Sequence, residues 1–174
     1  MGKHREEITM SEAPRARREG LLVGLIAYAA VAVFYAGFDF LAARGALFTV
    51  NMLGKAVFRG LPDPAVLQLP VPLDSAAILG YNALHLVASL LIGVIVVGLI
   101  ARAERDPSQR RLALSIIVSG FLVTIIAVGL LSDSMRRVLP WWSIIVANTL
   151  AVVLAGSYVL RKRPGILERM VSAA

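Results

Sequence analysis

The chain contains no cysteine and only two histidines among its 174 residues. Without a thiol it can form neither a disulfide, nor a thiolate nucleophile, nor a cysteine-ligated iron–sulfur cluster. The sequence also lacks the Gly-x-Gly-x-x-Gly, Walker, His-Glu-x-x-His and Gly-x-Ser-x-Gly motifs of nucleotide-binding proteins, zinc hydrolases and serine hydrolases. We therefore expect that the protein is not an enzyme, and we predict no catalytic residue and no metal site.

Charge is missing from long parts of the chain as well. Four apolar runs contain no Asp, Glu, Lys or Arg: 21–38, 75–101, 112–132 and 138–160. Each run reaches the roughly 18 to 20 residues that a helix needs to cross hydrocarbon. Because 58% of all residues are hydrophobic, little sequence is left for a separate soluble domain. The pattern predicts an all-α integral membrane protein, a bundle of four transmembrane helices. The predicted spans lie at about 20–43, 76–101, 112–132 and 141–160.

The basic residues predict the orientation of these spans. Thirteen of the 18 Lys and Arg lie in three segments, 1–20, 102–111 and 161–174, and the other five lie in the remaining loops. Cytoplasmic loops retain Lys and Arg far better than translocated loops do. We therefore predict a multi-pass protein of the cell inner membrane with both termini in the cytoplasm. The net charge of +7 is explained by this topology and by contact with anionic lipid headgroups, so no nucleic-acid partner is expected.

The segments around the spans have compositions of their own. Residues 1–19 mix Arg, Lys and Glu with Pro14 and lack an apolar face, which predicts a flexible or surface-lying cytoplasmic arm. The membrane domain follows at 20–161, and 162–174 form a cytoplasmic tail. Within the first connection, 46–58 is apolar but too short to cross, which is typical of an interfacial helix on the outer surface. Four prolines then predict an extended loop over 61–73.

Local signals mark where the spans begin. Asp74 is suited to cap the second span, and Asp106 followed by Pro107 and Ser108 resembles a capping box at the start of the third. Pro140 is suited to open the fourth span, and Pro164 followed by glycine is suited to end it. These patterns support the helix boundaries independently of hydrophobicity.

Polar side chains inside the spans are the candidates for a functional site, because hydrocarbon offers them no hydrogen-bonding partner. Asn82, His85 and Ser89 follow one stripe of the second span at helical spacing. The first span contributes Tyr35 and Asp39, and the fourth contributes Asn148. Counted along the helices, all these groups fall in the outer half of the membrane. We predict that they form one intramembrane polar cluster: Tyr35, Asp39, Asn82, His85, Ser89 and Asn148.

His85 allows three interpretations. As a structural group, neutral imidazole would hydrogen-bond Asn148 or Asp39 between helices that small residues bring close together. As a transport group, His85 would titrate along a proton or solute path whose mouth is guarded by Asp39. As a cofactor-binding group, His85 would ligate haem or a chlorophyll-type pigment. No second intramembrane histidine is present to complete a bis-histidine site, so no cofactor is expected.

The functional hypothesis follows from these exclusions. We predict an accessory or scaffold subunit of a larger membrane complex, whose partners are other membrane subunits or further copies of the chain. The long apolar connection between the first two spans supports this hypothesis, since it would be better covered by a partner or the bilayer. The alternative is a small transporter or proton-linked carrier that works through His85 and Asp39.

Overall fold

The computed structural model describes residues 2–60, 71–136 and 139–172, and within them every regular element is helical. In these ranges two short 3₁₀ turns, Pro107–Gln109 and Asp133–Met135, accompany six α-helices. The α-helices are α1 (Gly2–Leu41), α2 (Phe48–Phe58), α3 (Ser75–Arg105), α4 (Arg110–Leu131), α5 (Trp141–Lys162) and α6 (Ile166–Val171).

Four helical segments are long and apolar enough to cross a membrane, as the sequence predicts. The positions of these helices agree with the predicted ones. The first of the four is the apolar part of α1, and the third includes the 3₁₀ turn before α4. The segments are Pro14–Leu41, Ser75–Arg105, Pro107–Leu130 and Trp141–Lys162.

The segment predicted as a flexible or surface-lying arm is helical from Gly2 onward. α1 begins at Gly2 and continues through Pro14 into the first apolar run, so the arm is part of a 40-residue helix. Between Gly2 and Gly20 the sequence is rich in Arg, Glu and Ala, which favour helix without any apolar face. A proline costs about 3 kcal/mol inside a helix, which the strong helix formers around it offset in part. Lack of an apolar face is therefore a poor guide to the backbone here.

α1 is the central helix, and it packs along α3, α5 and α2. Its closest approach to α3 depends on glycine. A Cβ atom added to Gly24 would overlap the backbone of Ser89 and Leu90, and one added to Gly93 would overlap Gly20 and Gly24. Small residues on both helices thus let the two backbones touch, which is how helices associate where lipid competes with apolar side chains.

α2 forms as a separate short helix. It begins two residues after the start of the segment predicted at 46–58 and ends at the same residue. It packs on α3 and α1. One side of it is buried: Phe48, Thr49, Asn51, Met52 and Gly54. Residues 71–74 lead without helix or strand into α3, and the proline-rich residues 61–70 of the predicted extended loop lie outside the described part of the chain.

Both aspartate caps form at the predicted places. The Asp74 carboxylate accepts a hydrogen bond from the Ala77 N–H at 2.9 Å at the start of α3. The Asp106 carboxylate accepts from the Ser108 N–H at 2.9 Å and from its hydroxyl at 2.7 Å, which lowers the pKa of Asp106. The 3₁₀ turn Pro107–Gln109 then leads into α4. Gly165, with φ of 73°, makes the left-handed turn after α5 that places α6 against the other helices.

Candidate functional site

Tyr28 and Asn82 join α1 to α3 beside the predicted site. The Tyr28 hydroxyl donates to Asn82 Oδ1 at 3.0 Å, and the Asn82 amide donates in turn to the Ile78 carbonyl at 2.9 Å. The Asn82 side-chain oxygen thus accepts a hydrogen bond from α1, and its N–H donates a hydrogen bond to the backbone of α3. The Tyr28–Asn82 hydrogen bond thus joins the apolar parts of α1 and α3.

His85 lies next to this pair, between two phenol rings. Its ring centroid is 5.2 Å from that of Tyr28, with 55° between the planes, and 6.2 Å from that of Tyr81, with 36°. His85 follows the start of α3 by ten residues, which is about 15 Å along the helix axis. Tyr81 is absent from the cluster predicted from the sequence, although it lies one helical turn before His85.

The hydrogen bonds expected for His85 with Asn148 or Asp39 are not formed. The Asn148 amide donates to the Ile144 carbonyl of its own helix at 2.8 Å. α1 rather than α5 is the helix that brings side chains to His85, because α1 packs along both α3 and α5. A sequence stripe defines a helix face but does not tell which neighbour covers it.

Asp39 is held at the C-terminal end of α1, where it is only 1% exposed. Its carboxylate accepts from the Thr49 N–H at 2.6 Å, from the Thr49 hydroxyl at 2.7 Å and from the Arg44 guanidinium at 3.1 Å. Charge-assisted bonds of this kind are strong, and a buried carboxylate needs them. The backbone turns back at Ala43 and Gly45, both with positive φ, and this reversal brings Thr49 of α2 to Asp39.

The Arg44 guanidinium is held by aromatic rings as well as by Asp39. Its central carbon lies 4.9 Å from the centroid of Phe38 and 4.7 Å from that of Phe48. An arginine between two ring faces gains cation–π attraction while it neutralises the acid. Together, Asp39, Arg44 and Thr49 fasten α2 to the end of α1.

The remaining predicted residues lie apart from His85 and serve packing. Ser89 is buried where α3 meets Gly24, and Tyr35 makes edge contacts with the rings of Phe34 and Phe38. The structure therefore brings Asn82 and His85 together with Tyr28. Asp39 lies close enough to Tyr35 to interact with it electrostatically, whereas Ser89 and Asn148 have separate surroundings.

A second group of hydrogen bonds fixes α2 in place, and it involves Asn51, which the sequence analysis does not single out. Asn51 is 1% exposed, and its amide donates to the Pro72 carbonyl at 3.2 Å while its oxygen accepts from the Asp74 N–H at 2.9 Å. Lys55 also donates to the Pro72 carbonyl, and Arg59 pairs with Asp74 at 3.0 Å. Arg59, and then the Ala77 N–H, hold the pKa of Asp74 below its usual value. α2 is thus fixed to the start of α3.

The opposite end of the molecule contains an ion cluster of Arg163, Glu19 and Glu104. Arg163 follows α5 and donates to both carboxylate oxygens of Glu19 on α1, at 3.0 and 2.8 Å, and to Glu104 on α3. The Arg163 side chain is only 15% exposed, and its hydrogen bonds with Glu19 raise its pKa. Beyond Gly165, Ile166 and Met170 of α6 pack against the apolar core below this cluster.

Little open space accompanies these groups. A shallow surface depression lies where α2 meets the turn after α4. Apart from Thr49, its lining is apolar: Phe48, Thr49, Met52, Leu53, Met135 and Leu139. Within residues 2–60, 71–136 and 139–172, no group of three His, Cys, Asp or Glu side chains is placed to hold a metal ion.

Comparison with models of known protein families, with curated proteins and with solved structures finds no match to this chain. The functional proposal therefore depends on the arrangement of its own residues.

Proposed function

We propose that the chain is an accessory or scaffold subunit of a larger assembly in the cell inner membrane, with both termini in the cytoplasm. The proposal is supported by charged side chains that form ion pairs between different helices and turns of the chain. Asp39 with Arg44 fastens α2 to α1, and Arg163 joins α1 and α3 to the turn after α5. Side chains engaged in this way give the chain a defined shape, which is what a scaffold needs.

The single observation that carries the proposal is the surface of α4. Of the residues in its most apolar 18-residue stretch, 11% are buried inside the chain, against 17% in both α1 and α3 and 33% in α5. Lipid can cover the large apolar side chains of this surface, but it also contains Ser115 and Ser119 at a spacing of one helical turn, both exposed. Small residues at this spacing are typical of faces that pack against another transmembrane helix.

The hydroxyl groups on the spans strengthen this argument. Those of Thr124, Ser143 and Ser157 donate to a carbonyl of their own chain at 2.8, 2.8 and 2.6 Å. In the part of the chain that the structure describes, Ser115 and Ser119 form no such bond. A hydroxyl that faces hydrocarbon requires a partner, and an interhelical acceptor would supply one. The proposed partner is therefore a second membrane subunit that packs along this face of α4.

Crosslinking from α4 tests this interface. The chain has no cysteine, so Ser119→Cys can be labelled with a benzophenone maleimide at one place only. We expect irradiation in native membranes to give one discrete protein product from position 119. The matched control is Gly98→Cys on α3, which has no atom within 4 Å of an added Cβ and should give lipid adducts only. Equal labelling of lipid from both positions would contradict the proposal, and a product of twice the chain mass would indicate a homo-oligomer.

The orientation is tested by the same single-cysteine approach. With thirteen of 18 basic residues on the proposed cytoplasmic side, Ser108→Cys and Ser172→Cys should react only with membrane-permeant thiol reagents. Ser134→Cys, in the proposed outer turn, should react with impermeant reagents in intact cells. Labelling of position 108 by an impermeant reagent would reverse the topology.

The alternative of a proton-linked carrier has weaker support. Asp39 would have to exchange protons at an open mouth, whereas its carboxylate accepts three hydrogen bonds and is nearly inaccessible. A haem or pigment at His85 would find no second histidine in the spans to complete a bis-histidine site. We therefore place the scaffold role first.

A further inference from the structure

Tyr81 and His85 are two polar side chains of α3 that lie close to the Tyr28–Asn82 hydrogen bond. Among the described residues, neither the His85 imidazole nor the Tyr81 hydroxyl has a donor or acceptor partner, whereas Tyr28 and Asn82 beside them are satisfied. Within the described residues, neither the Tyr81 hydroxyl nor the His85 imidazole contains a polar atom that is both fully buried and unpaired. Both residues are only partly buried.

The position of these groups restricts what can satisfy them. Tyr81 lies about 9 Å and His85 about 15 Å along α3 from Ser75, within a segment long enough to cross the membrane. Water is scarce at that depth, and an unsatisfied polar group is costly there. A ligand for this place must therefore dissolve in hydrocarbon and present hydrogen-bond acceptors.

The shape of the site restricts the ligand further. Tyr81 and His85 are four residues apart, so they lie on one face of α3 and separate by about 6 Å along its axis. Two phenol rings flank the imidazole, and these favour a flat aromatic neighbour. Leu84, one helical turn after Tyr81, is exposed and apolar. The site thus combines two spaced donors, ring surfaces and access from lipid.

We propose that Tyr81 and His85 bind the headgroup ring of an isoprenoid quinone. One quinone carbonyl accepts from the Tyr81 hydroxyl and the opposite carbonyl accepts from the His85 N–H, while the isoprenoid tail stays in the bilayer. Tyr28 supports His85 from α1 and is itself fixed by Asn82. The proposal concerns binding alone and does not depend on the α4 interface, which lies on another helix.

Photolabelling tests the site directly. The purified full chain in mild detergent is irradiated with an azido-quinone, and labelled peptides are identified by mass spectrometry. We expect the label in the α3 peptide that contains Tyr81 and His85, and we expect decylubiquinone to displace it in a saturable manner. Decylbenzene, which has the tail but no carbonyl, should not compete.

Conservative variants distinguish the loss of a hydrogen bond to the quinone from a failure of the protein to fold. Tyr81→Phe and His85→Phe should each weaken displacement by decylubiquinone about tenfold, the loss expected for one hydrogen bond in an apolar site. His85→Gln keeps an N–H donor and should retain labelling, which guards against a phenylalanine variant that fails to fold. Tyr158→Phe on α5, half-buried like Tyr81, is the matched control and should be unchanged.

Three results would overturn the proposal. The first is a label spread over all spans without competition by decylubiquinone, and the second is labelling that both phenylalanine variants leave unchanged. The third is loss of a co-purifying subunit in these variants without any saturable quinone binding. That last result would assign the two donors to a partner helix instead.

Discussion

Gly93→Leu should disrupt the packing of α1 on α3, whereas Gly98→Leu on the same helix should leave the fold intact. A Cβ at residue 93 would overlap the backbone of Gly20 and Gly24, while nothing lies within 4 Å of a Cβ at residue 98. Overpacking of a tight contact typically costs about 1–3 kcal/mol, and backbone cannot move aside as a side chain can. We expect a loss at the upper end of that range.

The two variants can be compared by thermal unfolding of the purified protein in detergent, followed by circular dichroism. Both add the same side chain to the same helix, so helix propensity and added apolar volume are matched. Gly98→Leu should unfold at or above the temperature of the wild type, because leucine favours helix over glycine. Equal losses at both positions would show that α1 and α3 do not touch at Gly93.

The second large effect is expected from Arg163→Met. The substitution leaves Glu19 and Glu104 without their shared cation, and removal of one partner from a largely buried ion cluster is strongly unfavourable. With 15% of the Arg163 side chain exposed, we expect a loss of about 2–3 kcal/mol in the free energy of unfolding. Arg161→Met, an exposed position at the end of α5, is the control and should change stability little.

The sign of the pH dependence can be given for the stability that Arg163→Met removes. Hydrogen bonds with Glu19 hold the pKa of Arg163 above its usual value, so its contribution is complete below that usual value and disappears only as the pH rises through the folded-state pKa. Titration of Arg163 therefore contributes no change to the difference between wild type and Arg163→Met in neutral solution. An Arg163→Met variant as stable as Arg161→Met would contradict the proposed role of the cluster.

The sequence predicts the helices of this protein well because their signals are local. Uncharged runs of sufficient length define the four spans, and Asp74 and Asp106 lie within a few residues of the N–H groups that they cap. The short helix at α2 is also predictable, since its apolar stretch cannot cross hydrocarbon. In each case the physical cause and its effect lie in the same stretch of chain.

The contacts between helices are less predictable from one sequence. Arg163 and Glu19 are separated by 144 residues, and no local pattern relates them. Asn51 holds Pro72 and Asp74 through bonds that depend on how α2 docks on α3. For His85 the stripe on α3 is correct, but the choice between α1 and α5 as its neighbour is made by packing. Helical spacing alone, by contrast, could have placed Tyr81 beside His85.

The proposed role as a subunit is tested most directly by the mass of the native assembly. The chain is extracted from its own membranes at natural abundance in mild detergent and measured by native mass spectrometry. We expect a particle heavier than the 18.6 kDa chain that contains a second membrane protein in fixed ratio, and we expect Ser119→Trp to release the folded chain from it. A folded 18.6 kDa chain found alone in the wild-type extract would contradict the proposal.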